Sequence, residues 1–140
     1  MKCYFKQTTK ISGEVVLLAV FLILVLLSSC LDPYYLDSKS NIVKRSTDTA
    51  LNDSALIYGT VVVINSDMPY PNADVWIEGT EIKTTSDIYG KFSLKILPGT
   101  YSIKCLHPLK EERFMMTLKD ISVSPNEKVE ILFSHGIQVE

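Results

Sequence analysis

The C-terminal two-thirds of the chain alternates between apolar and polar positions. Ala73, Val75 and Ile77 are interleaved with Asp74, Trp76 and Glu78, Phe92, Leu94 and Ile96 with Ser93 and Lys95, and Tyr101, Ile103 and Cys105 with Ser102 and Lys104. A period of two places each apolar set on one face of a strand. Residues 55–64 are apolar on both faces, as in a central strand. Further strands are predicted at 82–85, 114–118, 121–123 and 129–133. Between them lie turn signals: the 65–72 loop, Gly79-Thr80, Ser86–Gly90, Pro98-Gly99 and the 107–113 loop. Short alternating strands with turns every 8–12 residues or so predict an all-β, antiparallel β-sandwich over residues 55–140.

The N-terminus has a different pattern. Lys2, Lys6 and Lys10 precede Val15–Leu27, thirteen apolar residues without interruption, and Ser28-Ser29-Cys30 follows. A basic segment, a short apolar run and small residues predict a secretory signal over residues 1–29. As a helix, thirteen residues reach only about 20 Å, short of a hydrocarbon core about 30 Å thick, so an uncleaved anchor is the weaker alternative. Leu27-Ser28-Ser29-Cys30 resembles the lipobox of bacterial lipoproteins. The resemblance implies cleavage before Cys30, acylation of Cys30 with diacylglycerol and palmitate-type chains, and residence at the bacterial cell envelope, on the outer membrane, facing either the periplasm or the surface.

Removing residues 1–29 changes the charge. The whole chain has 14 basic and 16 acidic residues and a net charge of −2. Without Lys2, Lys6, Lys10 and Glu14 the balance is eleven to fifteen, or −4. That leaves no basic surface for nucleic acid and gives no help on anionic lipid. Of the three cysteines, Cys3 leaves with the signal and Cys30 is acylated, so Cys105 is the remaining thiol, on the apolar face of its strand, and no internal disulfide is expected. Residues 30–54 are polar and lack a sustained period. They are expected to be the lipidated residue followed by a disordered tether, although Tyr34, Tyr35 and Leu36 could instead pack on the domain or lie at the lipid interface.

Four sequence segments in order resemble the carboxypeptidase regulatory-like domain: Gly59-Thr60-Val61; Pro71–Thr80, which includes Ala73, Val75 and Gly79; Thr84–Phe92, which includes Asp87 and Gly90; and Pro98-Gly99-Thr100-Tyr101. The resemblance covers roughly residues 57–106 and implies a single seven-stranded, transthyretin-like Greek-key sandwich. It departs after Cys105, where His107-Pro108-Leu109 replaces the glycine and aromatic that often follow. The motif residues Gly59, Gly79, Asp87, Gly90, Phe92, Pro98, Gly99 and Tyr101 read as structural. Gly79 and Gly99 are expected to take positive φ in turns, Asp87 to cap its own turn, and Gly59 to admit a close neighbour.

Chemistry is sparse. His107 and His135 are 28 positions apart, with no Cys, His or acidic cluster at ligand spacing, so no metal site is expected. Glu111-Glu112 point apart in extended backbone, and nucleophile elbows and phosphate loops are missing from the sequence. No catalytic residue and no cofactor is expected. Trp76, facing outward between Asp74 and Glu78, is the candidate contact residue, with the loop tyrosines Tyr70 and Tyr89 beside it if the fold brings them together. The expected function is a non-catalytic, lipid-anchored interaction module with an envelope protein as partner. The alternative is a carbohydrate-binding module that stacks a glycan on Trp76, and a small hydrolase is a distant third.

Overall fold

The computed structural model describes residues 34–139 together with Phe21. The segment expected to be a signal is otherwise outside the described residues, as are Cys3 and Cys30, the expected lipidation residue. One compact unit begins at Tyr34 and continues to the C-terminus.

The described residues are all-β. Ten strands form: β1 (Tyr34–Leu36), β2 (Lys39–Thr47), β3 (Ala55–Val63), β4 (Asp74–Ile77), β5 (Lys83–Thr85), β6 (Lys91–Ile96), β7 (Gly99–Leu106), β8 (Met116–Val123), β9 (Glu127–His135) and β10 (Ile137–Val139). They make two four-stranded sheets, β2-β9-β3-β6 and β5-β4-β7-β8, and a small β1-β10 ladder. Ile57, Val61, Phe92, Leu94, Ile131 and Phe133 from the first sheet meet Val75, Ile77, Ile103, Cys105, Met116 and Ile121 from the second in a dry core. Alternation drives this packing, because every second side chain loses its water contact and each large one contributes about 1.5–3 kcal/mol.

Three expectations are corrected. The sheet is not purely antiparallel: β3 and β9 run parallel, with Ile57 opposite Val129 and Val61 opposite Phe133. The chain reaches β9 by crossing from the other sheet, and such a crossing leaves no periodic mark in sequence. Segments 114–118 and 121–123 are one strand, β8, with Phe114 in a short 3-10 turn before it. A bulge joins them: Tyr101 pairs with Ile121 and Ile103 with Leu118, and Asp120 sits at φ 55°.

The third correction is the tether. Residues 34–54 are part of the sandwich. β2 pairs with β9 from Lys39–Ser134 to Thr47–Glu127, with a register shift between Ile42 and Lys44. β1 pairs with β10. The ladder hides from a periodicity reading because β2 is an edge strand, mostly wet on both faces, and its bulge breaks the alternation. Backbone bonding and side-chain stitches hold it: Ser40 Oγ donates to the Thr117 carbonyl at 2.9 Å, and Arg45 donates to the Ser122 carbonyl at 2.9 Å and to Glu127 at 2.6 Å. The bonds to Thr117 and Ser122 tie the edge of one sheet to β8 of the other, and the bond to Glu127 fastens β2 to its own neighbour β9.

Strand direction sorts the loops. The 64–73 loop, the 86–90 turn, the 107–115 loop and the β1-β10 ladder all lie at one end of the sandwich, and the 48–54, 78–82, 97–98 and 124–126 connections lie at the other. Tyr34, where the described chain enters, is at the first end.

Candidate functional site

The motif residues are used in folding. A Cβ on Gly59 would fall on the backbone carbonyl of Ile131, so the parallel β3-β9 ladder needs glycine there. Asp87 Oδ1 accepts from the amides of Tyr89 at 2.8 Å and Lys91 at 2.9 Å, and Gly90 closes the turn at φ 71°. Gly79 takes φ 77° in the turn after β4. Gly99 differs from expectation. Its φ is not positive; it is the first residue of β7, opposite Val123, with the Tyr101 ring against it. A proline at 98 and a strand start at 99 already set the direction, and the Tyr101 hydroxyl donates back to the Leu97 carbonyl at 3.0 Å to hold the corner. Phe92 enters the core and stacks at 5.6 Å on Phe133.

Trp76 stands on the outer face of the second sheet, half-buried, in register with Lys83 on one side and Lys104 on the other. Lys104 is drawn to Glu78 at 2.5 Å. With Asp74, Lys83, Thr84 and Thr85, Trp76 lines a surface hollow of about 500 Å³. An indole surrounded by a carboxylate, an ammonium and two hydroxyls offers one apolar wall and several hydrogen-bonding groups to a polar ligand. Thr84 and Thr85 also border a second hollow of about 520 Å³, floored by Tyr58 on β3. The Tyr58 hydroxyl donates to Glu130 at 3.4 Å, and the Lys128 ammonium lies 5.5 Å from the ring centre. Tyr58 is hidden in the sequence because it sits in the run ALIYGTVVV, which reads as apolar on both faces. Its signal was the alternation of Tyr58 and Thr60 with Ile57, Gly59 and Val61.

Tyr70 and Tyr89 do not join Trp76. Among the described residues, aromatic stacking links Tyr70 to the two histidines: its ring lies 4.4 Å from His135 and 5.1 Å from His107. His135 stacks in turn on Phe114 at 5.6 Å, Phe114 on Tyr35 at 6.1 Å, and the Arg113 guanidinium covers Tyr35 at 3.6 Å. Tyr89 is exposed on the 86–90 turn. The histidines are distant in sequence yet share one tyrosine because β7 and β9 both end at this edge of the sandwich. The signal for His135 was its place after Ile131 and Phe133 on the core-facing phase of β9.

His135 is fully buried. Its Nδ1 lies 2.6 Å from the Gly136 carbonyl, which assigns the proton to Nδ1, and Nε2 has no hydrogen-bond partner among the described residues. Burial lowers its pKa below the ordinary 6.5; the Gly136 bond opposes this, and Lys110 and His107 add to it. A neutral imidazole sealed between two rings is a packing element with no route to a substrate. Burial also pushes the Cys105 thiol far up, with Asp74 adding to the effect, so it stays protonated and inert. Among the described residues no group of three or more His, Cys, Asp or Glu is placed to hold a metal.

The chain matches no protein-family model, and no curated sequence aligns with it. Among solved structures it is similar to chains from two interface mutants of the type II cohesin–X-dockerin complex of Acetivibrio cellulolyticus. The C-terminal interface mutant gives 20% identity at a TM-score of 0.46, covering 56% of this chain and 56% of that one. The N-terminal interface mutant gives 21% identity at 0.41, covering 57% and 56%. The chain thus spans a little over half the length of the structures it matches.

Proposed function

We propose that this is a non-catalytic β-sandwich of a bacterial cell envelope, held on the outer membrane by acyl chains on Cys30, that presents its second sheet to a partner protein. The observation that carries the binding role is the Trp76 hollow: the one tryptophan of the chain stands on an open sheet face among polar side chains. His107 and His135 both pack against Tyr70, which supports a module without turnover. Anchoring rests on the N-terminal pattern of basic segment, apolar run and Leu27-Ser28-Ser29-Cys30. The finer fold assignment, a seven-stranded Greek-key relative of the carboxypeptidase regulatory-like domains, rests on the order of the four motif segments and takes β3–β9 as its seven strands, with β1, β2 and β10 as additions.

The test of anchoring is metabolic labelling with an acyl precursor. The parent chain is expected to carry label and to be shortened before residue 30, and Cys30→Ser to show neither. A Cys30→Ser chain labelled and cut like the parent refutes the anchor.

The make-up of the Trp76 hollow also favours a second reading, a glycan stacked on the indole. Because the chain has a single tryptophan, its fluorescence reports on this site alone. A glycan ligand predicts a saturable shift in that fluorescence and, by titration calorimetry, loss of glycan binding in Trp76→Ala. A glycan panel with no saturable shift removes this reading.

A further inference from the structure

Large apolar side chains left in water are unevenly distributed over the domain. Tyr34, Met68, Ile88, Tyr89 and Leu109 are each 63–88% exposed. They come from four separate connections, and strand direction puts all four at one end. Tyr34 opens β1. Met68 is in the 64–73 loop, whose Ile64 amide donates to the His135 carbonyl. Ile88 and Tyr89 are in the turn whose Gly90 lies against Pro69 and the backbone of Tyr70. Leu109 is in the 107–115 loop, tied down through His107 on Tyr70 and Phe114 on His135. The opposite end exposes Leu97 and, less fully, Ile82. The ladder of stacked rings from His107 to Tyr35 lies beneath the first end and braces it.

The same end is where the chain departs toward Cys30. Once residues 34–54 belong to the sandwich, the stretch between the acylated residue and β1 is Leu31-Asp32-Pro33. Four residue steps span at most about 14 Å, against roughly 27 Å for the 24-residue coil expected from sequence. An anchor on so short a lead holds this end against the bilayer.

We propose that the loop end bearing Tyr34, Met68, Ile88, Tyr89 and Leu109 is a membrane-contact surface whose apolar fringe enters the interfacial layer of the lipid that carries the Cys30 anchor. The inference deepens the anchored reading and rests on it. Tyrosines and aliphatic tips at the rim of a domain fit an interface that is apolar below and wet above. The charges there do not select anionic lipid, since Asp67, Asp87, Glu111 and Glu112 outnumber Lys110 and Arg113. The contact is accordingly apolar in origin and insensitive to salt and to the fraction of acidic headgroups.

The test uses the full acylated chain reconstituted in phosphatidylcholine vesicles. A single environment-sensitive fluorophore is placed on Leu109→Cys or Ile88→Cys at the proposed end, and on Leu97→Cys at the other. Cys105 is buried and Cys30 is acylated, so the new thiol takes the label. Lipids brominated on their acyl chains are the quencher. Labels at 109 and 88 are expected to be quenched at least about twofold more strongly than the label at 97, as for groups some 5–10 Å into the headgroup boundary, and unchanged by salt. A chain that floats with the vesicles while its 109 and 88 labels stay as wet as the 97 label overturns the proposal and leaves the anchor standing. A full chain recovered from its own membranes with no acyl group on it, or a Cys30→Ser chain that floats as well as the parent, overturns the anchor and the contact with it. Shielding of 109 and 88 that appears only when envelope proteins are added assigns the end to a protein and overturns the lipid contact.

Discussion

Gly59→Ala tests the parallel pairing at the centre of the first sheet. In most strands, replacing glycine by alanine gains about 0.5–1 kcal/mol, because glycine loses more backbone freedom on folding. Here the added methyl would meet the backbone carbonyl of Ile131, a neighbour with no side-chain freedom to give way. Forcing a methyl into a filled site costs about 1–3 kcal/mol. A contact this close also forces β9 to shift, and one or two ladder hydrogen bonds are lost at about 1 kcal/mol each in addition. The expected loss is about 2–5 kcal/mol, which for a domain of this size lowers the melting temperature by about 10–25 °C. Gly79→Ala is the internal control: nothing lies near its Cβ, and only the strain of φ 77° opposes the change, about 1–2 kcal/mol. Thermal unfolding followed by circular dichroism measures both. A Gly59→Ala protein that melts at or above the parent, or level with Gly79→Ala, would refute the close approach of β3 and β9.

His135 makes stability depend on pH. Burial keeps its folded pKa below 6.5, so below that pH the unfolded chain binds a proton that the folded chain refuses. Stability is therefore complete above about pH 6.5 and falls as the solution is acidified below it. Urea midpoints between pH 7 and 5.5 should slope downward in the parent and less so in His135→Phe, which keeps the stack and removes the titration; equal slopes would exclude His135 as the source. Asp87→Ala should cost about 1–2 kcal/mol, because two amides lose their acceptor and an exposed turn can recover part of that from water. Asp87→Asn should retain most of the stability in the same melt, since its side-chain oxygen can still accept; equal losses in the two variants would argue against the turn bonds.

How much was legible in the sequence depended on how local each signal is. Wherever one face of a strand is buried and the other wet, the alternation of β4, β6 and β7 declared both the strand and its inward side chains, and Asp87 with Gly90 declared a turn, because both follow from the backbone of a few adjacent residues. β2 was illegible for the opposite reason. It buries almost nothing, and its stability comes from a ladder with β9 some ninety positions away, which composition cannot show. The candidate contacts divided in the same way. An outward Trp76 followed from the phase of its strand, whereas its separation from Tyr70 and Tyr89 depended on which end of the sandwich each loop joins.

By itself, the sequence determined an all-β domain, the inward phase of its strands, the apolar N-terminal run and the cysteine that follows it. Tertiary structure decided that β3 and β9 are parallel, that one tyrosine stacks with two histidines, that residues 34–54 belong to the sandwich, and that the exposed apolar loop tips gather at the end where Tyr34 opens β1. The physical reason is range. Alternation and turn chemistry act over two to five residues, while strand order and loop placement follow from how the whole chain closes its core.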